Sequence, residues 1–289
     1  MALLRPLKRL AALALPEWVK APLRGRLYGY RASRVSLPFT TQPLPNGTHR
    51  LEIEGLRPLV VPQPTFDAFA FHLTTNGESI EELHSFLRHA SAADGTLFDV
   101  GANHGAFSLA FCAAREGNRA VAFEPAQEPL ALLASAAADS GVSGRIVPVH
   151  AWIGDSEGET SGGIDASGFF NPGVSAGART VLVTTLDAHA ARTGTSPTLL
   201  KIDVDGAELD VLRGAARILR EARPVVFLEI HHDLLEKDGV APADVVAALV
   251  DAGYRFETPL GKPLTDRAVS NAATAVMRVV GIPPTRIFQ

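Results

Sequence analysis

From Leu97 onward the sequence predicts an α/β fold built on a mainly parallel sheet. Short apolar runs closed by acids or glycines alternate with stretches of helical spacing, the pattern of strand–crossover–strand units. The segment Leu97–Ala110, LFDVGANHGAFSLA, passes from an apolar run through Asp99, Gly101, Asn103 and Gly105 into helix-like spacing. That is a strand, a tight turn and a helix N-terminus, with glycines where the backbone must turn sharply and approach a neighbour or ligand closely. Acids gather at the ends of the apolar runs, where ligands bind in an open α/β sheet.

Composition sets the limits. A chain of 289 residues, 46% hydrophobic and 20% charged, has the balance of a globular protein able to bury a sizeable core. A net charge of -4 argues against a nucleic-acid enzyme, which normally needs a basic face. The lone Cys112 leaves no partner for an internal disulfide, so a reducing, cytoplasmic setting is expected.

Residues 1–90 read as an N-terminal extension: a basic helical arm, short strands and a capping helix. Eight of the first forty residues are Lys or Arg, against the single acid Glu17. The apolar run Leu10–Leu15 is too short to span a bilayer and makes a poor signal peptide. A weak contact of this arm with an anionic membrane surface is the alternative to a packed or solvated helix. Residues 49–62 alternate around Gly55 as paired strands, and Ser79-Ile80-Glu81-Glu82 reads as a capping box for a helix reaching about Ala90.

Residues 91–289 form the second unit. A strand ending at Val100 feeds a helix from Gly105 to about Ala114; Arg119–Phe123 is the next strand, ending in Glu124-Pro125, and Pro129–Ser140 the next helix. Ile146–Ile153 reads as a third strand, and Val181–Leu186 and Thr198–Val204 as two more. Gly154–Gly177, rich in Gly, Ser and Asp around Phe169-Phe170, is long for a connection and is expected to cover the acceptor. Leu212, Ala215, Ala216 and Leu219 share a helical face, Val225–Ile230 is a buried strand leading into His231 and His232, and Val240–Ala252 is a helix. Tyr254–Glu257 and Ala275–Val280 supply two last strands, with a hairpin around Gly261–Pro263.

The chemistry begins at Asp99. A dinucleotide cradle would carry a third glycine and no fixed negative charge beside the phosphates. A carboxylate two residues before the first glycine suits a ligand with an amino group, ribose hydroxyls and a sulfonium charge, which describes S-adenosyl-L-methionine. Glu124 stands nineteen residues after Gly105, at the next strand end, where a carboxylate can accept both ribose hydroxyls. A nicotinamide would use the same acid, so a nicotinamide-dependent oxidoreductase is the rival enzyme and a cofactor-binding module without turnover the rival non-enzyme. Trp152 and Asp155, at the end of the third strand, are placed for an adenine ring and its amino group, although Asp155 could equally start the Asp-Ser-Glu-Gly turn. The cofactor set is therefore Asp99, Gly101, Asn103, Gly105, Glu124, Trp152 and Asp155.

These residues resemble the FkbM-type family of S-adenosylmethionine-dependent methyltransferases over roughly Ile80 to Gly253. The resemblance rests on FDVGANHGAFSL, AFEP at Ala122–Pro125, TTLDAH at Thr184–His189, LLKIDVDGAELDVLRGA at Leu199–Ala215 and PVVFLEIH at Pro224–His231. It implies a class I, Rossmann-like methyltransferase sheet of seven strands, with helices on both faces and an antiparallel last strand. It also implies O-methylation of a hydroxyl on a sugar, glycan or polyketide-type small molecule. His104 stands where the family usually has an aliphatic residue, and Asp205 where it usually has Glu.

The base is expected among His231 and Asp203. Strand alternation puts Lys201, Asp203 and Asp205 on one side, a charged trio that is costly at the end of a buried strand unless it is paired. His231 follows Glu229 by two residues and shares its side, and histidine is the side chain poised to move protons near neutrality. His231 is taken as base or acceptor-orienting residue, Asp203 as ligand or alternative base, and Glu229 as their structural partner. An oxygen cage of Asp187, Asp203, Asp205 and Glu208 around a hard cation is the rival account, and the favoured reading assigns no metal.

Overall fold

The structure, a computed structural model, describes residues 35–74, 78–164, 170–271 and 274–285. The basic segment 1–34 and Phe169 lie outside the described residues. Phe39–Pro43 (β1), Thr48–Ile53 (β2) and Leu59–Pro62 (β3) form an antiparallel meander. Leu51, Ile53, Leu59 and Val61 alternate inward from it, and Gly55 makes the expected turn at φ 83. Gln63–Thr74 (α1) and Glu78–Ala92 (α2) follow. Ser79 lies inside α2 and does not cap it, and Glu82 turns into the protein interior, 1% exposed.

The main sheet contains Thr96–Val100 (β4), Arg119–Glu124 (β5) and Ile146–His150 (β6). Trp152–Ile153 (β7), Gly158–Ile164 (β8), Phe170–Asn171 (β9) and Arg179–Thr184 (β10) instead build a separate sheet in the order β7-β10-β8-β9. The chain then returns with Leu199–Ile202 (β11), Val225–His231 (β12), Arg255–Glu257 (β13), Pro263–Leu264 (β14) and Val276–Ile282 (β15). Across the main sheet the order is β6-β5-β4-β11-β12-β15-β13-β14, with β15 antiparallel to both neighbours. The expected seven strands are all there, and the two-residue β14, hairpinned to β13 around Gly261, adds an eighth at the edge.

Two expectations need correction. The run Ile146–Ile153 is not one strand: β6 ends at His150, and Trp152–Ile153 leaves the main sheet to pair in parallel with Val183–Thr184. Among the described residues β6 is the edge strand, so Pro148 is tolerated there and no outer strand holds the chain beyond His150. The helix expected through Leu212 and Leu219 is two short ones, Glu208–Arg213 and Ala216–Glu221, separated at Gly214. A Cβ on Gly214 would lie 2.1 Å from the Gly154 carbonyl oxygen, so only glycine permits this contact.

Burial on both faces explains the near-continuous apolar strands. Leu97, Ala120 and Leu199 pack into one core with α1, α2, Ala106–Ala114 (α3) and Gln127–Asp139 (α4). The next residues, Phe98, Val121 and Leu200, pack into a second core on the other face with Leu186, Leu209, Leu212 and Leu219. The meander joins the first core through Leu51 and Leu59, and Phe86 of α2 meets Phe107 of α3 and Phe227 of β12 edge-on. No helix among the described residues is long and apolar enough to cross a membrane.

Candidate active site

Alternation puts Asp99, Lys201 and Glu229 on the sheet face that carries α2 and α3, and the strand ends then bring the remaining acids together. At the end of β4 the turn holds Gly101 at φ 76, Asn103 at φ 48 and Gly105 at φ 77. Asn103 tolerates this left-handed geometry better than most side chains. Gly101 is obligatory on packing grounds, because its Cβ would fall 1.8 Å from the Asp203 carbonyl oxygen. The turn after β4 and the turn after β11 are thereby in backbone contact.

Glu124 closes β5. Its Oε2 accepts the Asn103 N–H at 2.9 Å and its Oε1 the Ala126 N–H at 2.8 Å. Burial pushes its carboxyl up to about 7 against the pull of those two donors. A carboxylate offers about four acceptor positions, so two remain for a diol. Two free acceptor positions on one carboxylate suit the paired hydroxyls of a ribose. Asp99 lies beneath the turn, 2% exposed, and accepts a hydrogen bond from Ser108 Oγ at 2.6 Å; burial raises its carboxyl. Trp152 packs its ring 5.7 Å from that of Phe170, so β7 and β9, the two outer strands of the separate sheet, are in contact. Asp155 is exposed and accepts a hydrogen bond from Ser156; the Asp210 carboxyl is raised by burial first and by the charge of Asp155 second.

Lys201 is 1% exposed. Its Nζ lies 2.9 Å from Glu229 Oε1, 3.3 Å from Glu82 Oε1 and 3.4 Å from Asp203 Oδ2, above the Phe107 ring. Arg278 of β15 pairs with Glu229 Oε2 and, at 3.2 Å, with Glu82 Oε2. Desolvation opposes the charge on Lys201, but Asp203, Glu229 and Glu82 outweigh it and raise its pKa. Burial likewise acts to raise Glu229, and Arg278 and Lys201 overcome it to hold this carboxyl well below its ordinary value. Burial dominates at Glu82, pushed up to about 8.

His231 ends β12 with Nδ1 2.7 Å from Glu208 Oε1. Its Nε2 faces Asp205 Oδ1 at 3.2 Å and Asp203 Oδ1 at 3.7 Å. Burial alone would lower this imidazole; the Glu208 hydrogen bond and the charges of Asp203, Glu208 and Asp205 raise it to about 9. Asp203 is pushed up to about 6, by burial first and then by Glu229, against the pull of Lys201 and His231.

The structure thus brings together His231 and Asp203, as the sequence anticipates, and assigns their partners differently. Glu229 serves Lys201 and Arg278, while the partner of His231 is Glu208, on the helix after β11. Asp187 does not join the corner: its carboxylate accepts the N–H groups of Arg217 at 2.7 Å and Ile218 at 2.9 Å and so caps the helix Ala216–Glu221.

Residues 99–256 match the family model described as the Methyltransferase FkbM domain. No curated protein matches the chain. Among solved structures, a methyltransferase FkbM from Methylobacillus flagellatus KT is 19% identical over 65% of this chain and 43% of its own, with a TM-score of 0.42. The chain therefore spans under half the length of that protein. The fibrillarin pre-rRNA processing protein of Methanococcus jannaschii is 9% identical over 86% of this chain and 99% of its own, TM-score 0.44. A SAM-dependent methyltransferase from Agrobacterium tumefaciens is 10% identical over 82% and 71% respectively, TM-score 0.44.

Proposed function

The chain belongs to the FkbM methyltransferase family, and on that premise we propose that it O-methylates a hydroxyl of a sugar, glycan or polyketide-type small molecule in the cytoplasm. S-adenosyl-L-methionine, when bound, supplies an electrophilic sulfonium methyl. The observation that supports the reading best is the layout of the strand ends. Glu124 closes β5 and Asp203 follows β11, the two strands that flank β4. Neighbouring strands are about 4.8 Å apart, so the ribose acid and the acceptor corner lie roughly 10 Å from each other across the turn.

In this layout Glu124 and the Gly101–Gly105 turn hold the cofactor, and Asp203 and His231 receive the acceptor hydroxyl. Methyl transfer forms a carbon–oxygen bond, breaks the carbon–sulfur bond and releases the hydroxyl proton. With a value near 6, Asp203 is largely ionised at neutral pH and able to take that proton, while His231, near 9, is a donor that fixes the oxygen. Alignment contributes most: holding reactants in line supplies ~7–11 kcal/mol, against ~10²–10⁴-fold for general-base help.

The test is incubation with methyl-labelled cofactor and panels of glycans and hydroxylated lactones. Labelled ether product is expected, and His231→Ala should bind cofactor normally while turning over ~10²-fold more slowly. Tight cofactor binding with no transfer to any hydroxyl would leave a cofactor-binding module, and binding of NAD in preference would end the reading.

A further inference from the structure

The ligand atoms of Asp203, Asp205 and His231 all lie within 4.8 Å of one another. An octahedral divalent cation with bonds of about 2.1 Å places adjacent ligands about 3 Å apart. The His231–Asp205 separation of 3.2 Å already meets this, and the 3.7 Å to Asp203 closes with a small side-chain movement. The imidazole is held by Glu208 on Nδ1, which leaves Nε2 facing both aspartates, as in carboxylate–histidine–metal arrangements.

Glu208 supplies a second, independent observation. It is 0% exposed; Oε1 takes the His231 ring and the backbone N–H groups of Gly206 and His231, while Oε2, also buried, has no hydrogen-bond partner. Charge points the same way. Lys201 is shared by Glu82, Glu229 and Asp203, and the carboxylates of Asp203, Asp205 and Glu208 all gather around the one imidazole of His231. The corner is rich in carboxylates, and the part-exposed Asp203 and Asp205 leave it open to solvent beyond the carboxyl ends of β11 and β12.

We propose that Asp203, Asp205 and His231 bind a divalent cation of the Mg²⁺/Mn²⁺ class, with Glu208 as the positioning residue of the histidine. Two carboxylates and water suit these metals, and a single imidazole is compatible with Mn²⁺. The three ligands occupy one side of the cation and leave the other to water and the acceptor oxygen. This use of the site rests on the reading above, that the acceptor comes to this corner; the binding of the metal does not. With the cation present His231 is a ligand, and the acceptor hydroxyl is oriented by the metal in its place.

The full chain is stripped with EDTA, exchanged into metal-free buffer and titrated with Mn²⁺, free ion being read by electron paramagnetic resonance. One bound Mn²⁺ per chain is expected, displaced by excess Mg²⁺. Asp203→Asn and Asp205→Asn should weaken binding at least tenfold, Glu208→Gln roughly 10- to 100-fold, and Asp251→Asn, on an exposed remote position, not at all. Should the corner variants fail to fold by circular dichroism, the wild type still decides: its bound Mn²⁺ must show one imidazole nitrogen coupling by electron spin echo. Absence of stoichiometric binding, absence of that coupling, or unchanged affinity in folded Asp203→Asn and Asp205→Asn overturns the metal site. Methyl transfer by metal-free enzyme would overturn the metal's use and leave the methyltransferase reading intact, whereas Mn²⁺ binding without transfer to any hydroxyl would overturn that reading and leave the metal site intact.

Discussion

His231 Nδ1 and Glu208 Oε1, 2.7 Å apart, settle which imidazole nitrogen faces the aspartates. Removing the charge of Glu208 should therefore lower the His231 pKa. In metal-free Glu208→Gln, an NMR titration of the ring should give a value well under the wild-type value of about 9; an unchanged value would mean that Asp203 and Asp205 alone raise it.

Stability against pH follows from the same pair. A histidine raised from 6.5 to about 9 contributes its stabilisation in full below pH 6.5 and loses it between pH 6.5 and 9. Glu82, raised from 4.5 to about 8, acts with the same sign between those values, since the folded state holds its proton longer. The melting midpoint of the metal-free protein should fall from pH 6.5 to 9. Above pH 8 the fall belongs to His231 among these two, and there His231→Gln should flatten it.

Glu124→Ala should cost about 1.5–3 kcal/mol of S-adenosyl-L-methionine binding, the range for hydrogen bonds to a charged group. Calorimetric titration checks it. Because Glu124 also ties the N–H groups of Asn103 and Ala126, Glu124→Gln is the gentler comparison and should keep the turn while still losing affinity. Unchanged affinity in a folded Glu124→Ala would remove this acid from the cofactor site.

Two glycines with almost the same backbone angle should respond differently to alanine. At Gly141, φ 70, the added methyl meets nothing within 4 Å, and the loss should be about 1–2 kcal/mol from the left-handed backbone alone. Gly101, φ 76, would drive its methyl into the Asp203 carbonyl. Denaturant titration should show the larger loss for Gly101→Ala, accompanied by weakened cofactor binding.

Lys201→Met should destabilise by about 3–5 kcal/mol, because it strands buried carboxylates beside an apolar side chain. Chemical denaturation measures it. A loss below 1 kcal/mol would mean that Arg278 alone suffices for Glu82 and Glu229.

The sheet was legible because its strands are apolar on both faces and end in acids, and because glycines mark the turns. The corner was legible only in part. Strand alternation brings Asp203 and His231 to adjacent strand ends, which period-two reasoning can see. That Glu208 reaches back to His231 depends on how the helix after β11 enters, which no strand pattern encodes; the one signal was its place at the end of the KIDVDGAE string. Glu82 fitted a capping box at the level of sequence, and the pull of a buried ammonium from a strand far along the chain won over that local role. The segment Ile146–Ile153 reads as continuous because its apolar run does not register that β6 is the outermost described strand on its side of the sheet.

The ion network around Lys201 also decides where this chain can be cut. Glu82 comes from the second helix of the N-terminal extension, and Phe86, one turn further on, lies against Phe107 and Phe227. A fragment starting after residue 92 would keep every strand of the main sheet, yet it would set Lys201 and Arg278 against Glu229 with the Glu82 carboxylate gone and uncover an aromatic face. The residues before the main sheet thus form a wall on one of its faces, and a swap of N-terminal segments between relatives is expected to need a carboxylate and an aromatic ring at these two positions.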